Sequence, residues 1–289
     1  MENVEEIGVL FFTDKMDGAS LLEYAKRLEG CGVRTLWLPE LLGREPFSTA
    51  GALLANTETL RIGTGIANVY VRDASSMVAG SRTLAELSGG RFELGLGVSN
   101  IGASATRGYK WIPPLQKLRQ YFDEMEIASI EMVKPPTPPR LFVAAHGPRL
   151  LEFSAQRTDG ALTYLMTPKH TTYARKVLGK DKKLHVGQFV LACGDPVLAR
   201  KIARKAVKYY VSLDYYRREW LGQGLEPADF ENDGSDRLID HLVAWGDVKE
   251  IRERLDSQRK AGANHVILIP LNATPGIEPD YNLLNEICK

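Results

Sequence analysis

Two patterns and a length predict an α/β fold of the (β/α)8 barrel type. Short apolar runs rich in Val, Ile, Leu and Phe recur, each followed by a turn and a longer helical pattern, the signature of βα units building a parallel sheet. Eight such runs are present, and IGVLFF, TLWLP and HVILIP are continuous rather than alternating, as strands buried on both faces should be. The 289 residues exceed the usual ~100–200 per domain yet fall where α/β barrels run as one domain. A doubly wound open sheet is the competing topology, because counting elements does not show whether the last strand closes on the first.

The eight strands are read at 7–12, 33–38, 60–66, 91–96, 141–145, 161–165, 185–191 and 265–269. Helices are read at 20–29, 46–56, 74–87, 113–129, 148–158, 170–178, 196–213 and 247–261. Pro46, Pro113, Pro148 and Pro196 stand where a first-turn proline is tolerated, and Gly30, Gly89, Gly179 and Gly262 stand where a left-handed cap is wanted. Residues 133–140 contain KPPTPP; proline fixes φ and lacks a donor, so this is a short polyproline-like connector. Residues 213–243, rich in Tyr, Arg and Asp, are read as extra helices beside the barrel mouth. The whole chain, 1–289, is taken as one domain.

Composition narrows the function classes. With 44% hydrophobic and 25% charged residues the chain can bury a sizeable core, which excludes disordered and low-complexity classes. Its 37 basic and 36 acidic residues give a net charge of +1, so no global field draws it to nucleic acid or a membrane surface. A small-molecule substrate is the partner this favours. Cys31, Cys193 and Cys288 are odd in number and lack Cys-x-x-Cys spacing, which argues for a reducing compartment and against a disulfide framework or structural zinc. Residues 1–6 are acidic where a signal peptide would be basic, and no apolar run approaches a membrane span; a cytoplasmic location is expected. The five histidines show no metal-ligand spacing, so no metal site is expected.

In a barrel the site forms where strands end. There lie Glu40, then Asn68 to Arg72, then Gly97-Val98-Ser99-Asn100, then His146-Gly147-Pro148-Arg149, then Tyr164. The glycines of GLGVSN lack the third glycine and acidic residue of a dinucleotide fingerprint; they either admit a flat ligand or mark a tight turn. The stretch VAAHGPR reads as a strand opening into a proline-started helix. Its free amides would attract phosphate, with Arg149 adding a charge-assisted contact, or form an ordinary helix cap. Glu40 is a candidate for proton transfer or for accepting loop amides. Trp37 reads as core and Trp111 as an apolar wall over the mouth.

Taken together these blocks resemble the bacterial luciferase-like superfamily of flavin and deazaflavin oxidoreductases, in the branch that uses coenzyme F420, an 8-hydroxy-5-deazaflavin. The most specific is LRIGTGIANVYVRDASSMVAGSRTLAELSGGRFELGLGVS, with GVRTLWLPE, PLQKLRQYFDEM, LFVAAHGPRLLEFSAQRTDGALTYLMTP and GANHVILIPL as further matches. The resemblance implies a closed TIM barrel, a cofactor at its carboxyl end, and a non-proline cis peptide joining Gly65 to Ile66 behind the middle ring. It further implies Asn68 at the ring edge, Gly97, Val98 and Ser99 along the ribityl chain, and Ala145, His146, Gly147, Pro148, Arg149 and Leu150 around the phosphate. A homodimer across helices two and three is expected on the same ground. Several relatives carry an acid followed by a catalytic histidine after strand two, whereas here the pair is Glu40-Leu41. Asn100 stands where some relatives have glutamate; Glu40 and Asn100 are the catalytic candidates. Without an evident base for an alcohol, reduction of an activated double bond or imine is favoured over alcohol oxidation. FMN with a separate reductase and oxygen is the alternative, and a basic rim of Arg107 and Lys110 would suit the oligoglutamate tail of F420. A non-catalytic flavin-binding barrel is the third reading.

Overall fold

A computed structural model describes residues 7–273 and 279–288 of the chain. In order along the chain the first half contains β1 Ile7–Leu10, α1 Gly18–Gly30, β2 Thr35–Leu38, α2 Pro46–Ala55, β3 Arg61–Thr64, β4 Ala67–Asn68, α3 Ala74–Leu87, β5 Phe92–Gly97, α4 Ile101–Thr106 and α5 Pro114–Ile127. The second half contains β6 Arg140–Ala144, α6 Pro148–Arg157, β7 Gly160–Tyr164, α7 Pro168–Leu178, β8 Lys183–Ala192, α8 Pro196–Val211, α9 Asp214–Gly222, α10 Asp236–Leu242, β9 Val243–Gly246, α11 Val248–Lys260, β10 His265–Pro270 and α12 Tyr281–Cys288.

The barrel closes. β10 pairs in parallel with β1 through Ile7↔Val266 and with β8 through His265↔His185, so the open-sheet alternative is set aside. All eight predicted runs become barrel strands, and β4 and β9 are additions to them. β4 continues the third run after Gly65-Ile66 and pairs with β5. Phe189 and Val190 of β8 pair with both β10 and β9, so β9 lies on the opposite edge of β8 from β10, above the stretch that pairs with β7. Val243, the end of the region read as extra helices, starts this strand.

Side chains alternate across each strand. Val9, Leu36, Ile62, Leu94, Val143 and Val186 join the helices in one core, while Leu10, Trp37, Phe142, Leu162, Phe189 and Ile267 fill the barrel interior. Inside, Trp37 meets Phe142 edge-on at 6.0 Å and His185 at 5.5 Å, and its Nε1 donates to His265 Nε2 at 3.3 Å. Trp37 is therefore core. The interior cluster continues into Val207, Val211, Tyr216 and Trp220, so α8 and α9 lie over part of the carboxyl mouth.

Helix starts follow their caps. Asp17, Asp73 and Ser235 accept the amide three residues on, and Asp247 with Glu250 forms a capping box. Among the expected glycine caps, Gly89, Gly179 and Gly262 have positive φ, but Gly30 stays within α1 and the positive-φ residue is Gly32, at φ 88°. Pro113 is the cap and Pro114 the first residue of α5.

Candidate functional site at the carboxyl end of the barrel

The first wall is built where β3 passes into β4. The peptide joining Gly65 to Ile66 is cis, at the position the resemblance indicated. Ile66 turns toward β5 and β6: a Cβ on Gly97 would lie 2.8 Å from Ile66 Cδ1 and 3.4 Å from the Cβ of Ala144. Ile66, Gly97 and Ala144 thus meet as a flat floor that only glycine at position 97 permits. Asn68 is 3% exposed; its Oδ1 accepts from Tyr70 N at 3.0 Å.

Glu40 anchors this wall from β2. It is 7% exposed, and its Oε2 accepts the Asn68 amide at 2.8 Å. Arg72 grips both of its oxygens at 2.8 Å, and the same guanidinium reaches Glu45, the N-cap of α2. A bidentate guanidinium–carboxylate pair is directional and strong. With both oxygens engaged, Glu40 acts on the site by fixing the Asn68 backbone.

Beyond Gly97 the chain turns sharply. Ser99 has φ 59°, a left-handed conformation that non-glycine residues adopt only when the surroundings enforce it. Val98, Ser99 and Asn100 are half-buried, and the Asn100 carbonyl accepts Ser104 N at 3.1 Å, starting α4. The Asn100 side chain lies beside the first turn of α4, where a Cβ on Gly102 would sit 3.2 Å from its Oδ1.

The second wall follows β6. Ala145 is buried and its amide bonds Leu162 O. His146 Nε2 accepts the Tyr164 amide at 3.2 Å, so the neutral imidazole carries its proton on Nδ1. Burial, helped by nearby His170, pushes the His146 pKa down to about 3, which keeps the ring neutral. His170 Nε2 lies 2.9 Å from the His146 carbonyl. Gly147 is the N-cap of α6 with no side-chain cap, and Pro148 takes the first turn. Pro148 and Arg149 are exposed and Leu150 is half-buried. The amides of Arg149 and Leu150 therefore open outward at the positive end of the helix.

Sequence reasoning missed the residues that α8 and α9 bring over this wall. Tyr216 packs at a tilt against His146, ring centroids 5.2 Å apart, and Tyr210 Oη lies 3.0 Å from Tyr164 Oη. A Cβ on Gly147 would sit 3.3 Å from Glu219 Oε1, and burial raises the Glu219 pKa. The Tyr-rich segment 213–243 marks the neighbourhood of Tyr216 and Glu219, but not their partners, and Tyr210 lies 46 positions from Tyr164.

The rim opposite is apolar. Leu41, Leu42, Phe12, Ile101 and Tyr109 are exposed, and Arg107 is drawn to the Leu41 carbonyl. Tyr70 stacks with Tyr109 at 6.0 Å and with Trp111 at 5.8 Å, which sets Trp111 in the loop above the mouth. Lys110 is exposed. Among the described residues no group of three or more His, Cys, Asp or Glu is placed to hold a metal ion, and no helix is long and apolar enough to cross a membrane.

A closed parallel barrel with glycine-lined packing between strands, an uncapped helix start and an apolar rim at one mouth has its candidate site where barrel enzymes carry theirs, at the carboxyl end of the strands. Residues 6–265 match the luciferase-like monooxygenase family, and the chain belongs to that family. It is 27% identical over 290 residues to the 5,10-methylenetetrahydromethanopterin reductase of Methanolobus tindarius, covering 86% of this chain and 89% of that protein. Its fold superposes on the coenzyme F420-dependent tetrahydromethanopterin reductase of Methanopyrus kandleri with a TM-score of 0.78 at 15% identity, covering 99% of this chain and 97% of the other. The oxygenating constituent of 3,6-diketocamphane monooxygenase of Pseudomonas putida, solved with FMN, gives a TM-score of 0.74 at 12% identity over 99% of this chain and 97% of the other. The chain is accordingly an enzyme of the luciferase-like oxidoreductase and monooxygenase kind.

Proposed function

We propose that this enzyme transfers a hydride between coenzyme F420 and a small organic substrate. The observation that carries the reading is the continuity of two features: the Ile66–Gly97–Ala144 floor, which a Cβ at position 97 would fill, leads directly through Ala145 and His146 to the uncapped start of α6. A flat ring and a phosphate at the end of a short chain fit those features together. Ile66 and Gly97 would support the ring, Asn68 its edge, Val98 and Ser99 the ribityl chain, and residues 145–150 the phosphate, with Arg149 supplying charge. Bound there, the deazaflavin supplies the hydride chemistry. The chain's own residues orient it: Glu40 and Arg72 hold the Asn68 backbone, and His146, neutral, holds that of Tyr164. The reductase relatives support F420 over FMN, and the apolar rim suits an apolar substrate.

FMN, with oxygen and a separate reductase supplying reduced cofactor, is the second reading, favoured by the fold shared with an FMN-bound monooxygenase. Titrating the purified protein with oxidised F420 and with FMN, and following cofactor fluorescence, separates the two. Strong quenching of the deazaflavin with weak FMN binding is the expected result. The reverse establishes the FMN reading, and no quenching of either overturns both.

A further inference from the structure

Tyr164 ends β7 and points into the mouth. Leu162, two residues earlier on the same face, reaches within 2.7 Å of where a Cβ on Gly95 would lie, and Tyr164 Cδ2 within 3.1 Å of where one on Gly187 would lie. The Tyr164 ring packs edge-on against Phe189 at 5.6 Å. Its hydroxyl meets that of Tyr210, from the last turn of α8, at 3.0 Å. Two phenols carry two protons, and the bond between them uses one. Whichever phenol accepts keeps an O–H for which no acceptor exists among the described residues. Both tyrosines keep part of their surface exposed, and Tyr164 stands at the carboxyl end of β7, so the pair borders the mouth.

The pair is held rigidly. His146 Nε2 accepts the Tyr164 amide at 3.2 Å, and Leu165 adopts φ 58°. The Leu165 amide bonds Gly187 O at 3.3 Å and its carbonyl accepts Trp220 Nε1 at 3.0 Å. Tyr210 is flanked by Tyr209 at 5.6 Å and Tyr216 at 5.3 Å. Burial raises the pKa of both Tyr164 and Tyr210, and the groups facing them are the phenols of Tyr209 and Tyr216 and the neutral His146. The pair therefore stays protonated at physiological pH. A fixed, desolvated O–H aimed into a site is the arrangement that stabilises charge developing on oxygen.

We propose that Tyr164 and Tyr210 form a donor pair for the carbonyl oxygen of the hydride acceptor, making an α,β-unsaturated carbonyl compound the substrate class. This rests on the hydride-transfer function proposed above. Hydride added at the β-carbon breaks the carbon–carbon π bond and moves its electron pair toward oxygen, where the O–H donates. A proton from water completes the α-carbon, so one hydride and one proton saturate the bond, with the reduced cofactor as reductant. Leu41, apolar and exposed at the rim, has no side-chain donor to offer and leaves this oxygen to the tyrosines.

The test uses 4-nitrophenol, whose phenolate mimics such an oxygen and reports its ionisation by colour. It is titrated into protein saturated with oxidised F420, about one pH unit below the probe's own pKa. The wild type is expected to bind it as the yellow phenolate, and Tyr164→Phe and Tyr210→Phe to weaken that binding about tenfold or more, the scale of one hydrogen bond to a charged group. Deazaflavin quenching in both variants should stay within about twofold of wild type. Binding of the probe as neutral phenol, no binding, or equal binding by the variants would overturn the donor pair. Loss of deazaflavin quenching in both variants would make the pair structural and overturn it equally. Absence of quenching in the wild type is a failure of the cofactor reading instead, and is seen before the probe is added.

Discussion

Replacing Glu40 with glutamine decides what that carboxylate does. The substitution keeps the shape and one acceptor, so the Asn68 amide retains a partner. It removes the charge opposite Arg72 and turns an NH2 donor toward a guanidinium that is itself only donor. Breaking a buried ion pair by removing one partner costs roughly 3–5 kcal/mol. Arg72 keeps Glu45, whose side chain is 46% exposed and screened, so the cost here is about 2–3 kcal/mol. A chain of 289 residues, at ~2.1 cal/mol/K per residue, has an unfolding entropy of roughly 0.6 kcal/mol/K. Glu40→Gln should therefore lower Tm by about 3–5 °C and weaken F420 quenching, because the Asn68 segment loosens. Calorimetry and the fluorescence titration measure the two effects. Arg72→Met should give the same phenotype, and the double variant should cost clearly less than the sum of the singles. A Tm within about 1 °C of wild type together with lost hydride transfer would refute the structural reading and return Glu40 to proton transfer.

Two further outcomes follow from the same geometry. A side chain at position 97 collides with Ile66; Gly97→Val should cost about 1–3 kcal/mol of stability and weaken deazaflavin binding at least about tenfold, and an unchanged affinity would move the ring off this floor. Acid should destabilise the fold through His146. Its folded pKa of about 3 lies below the ~6.5 of an unfolded histidine, so the unfolded chain binds the extra proton, and stability present above pH ~6.5 is lost progressively as pH falls toward 3. At pH 5 that amounts to about 1–2 kcal/mol, the lower end applying because the ring keeps some solvent contact. His146→Gln, which can still accept the Tyr164 amide, should lose less stability between pH 7 and pH 5 in urea titrations, and an equal loss in both proteins would contradict the assignment.

The strands were legible because their signal is local: a run such as HVILIP names its own burial, and its neighbours need not be known. Closure was not local, since it depends on His265 meeting His185 across 80 residues. The two added strands were invisible for different reasons. Ala67–Asn68 is too short to carry a pattern, and Val243–Gly246 follows α10 without a turn. The floor was readable at Gly97 because a glycine in an apolar strand signals close approach, yet its partner Ile66 was assigned through resemblance alone.

Glu40 shows where reading by residue type stops. A carboxylate at a strand end is equally an acid, a base or a clamp, and what separates these is Arg72, which lies 32 positions away and stood among the strand-end residues with no partner assigned to it. The same holds for Tyr164: its place at a strand end was visible, but its chemistry depends on Tyr210, 46 positions on, from a helix whose place over the mouth its own sequence does not state. In a barrel of this kind, what a strand contributes to the mouth is written next to that strand, whereas what α8 and α9 contribute is fixed by how they fold back across it. The floor and the uncapped start of α6 belong to the first kind and the tyrosine pair to the second. On the proposed function, variation in α8 and α9 would therefore change which substrate is held while leaving the proposed cofactor walls, and the strand signatures beside them, untouched.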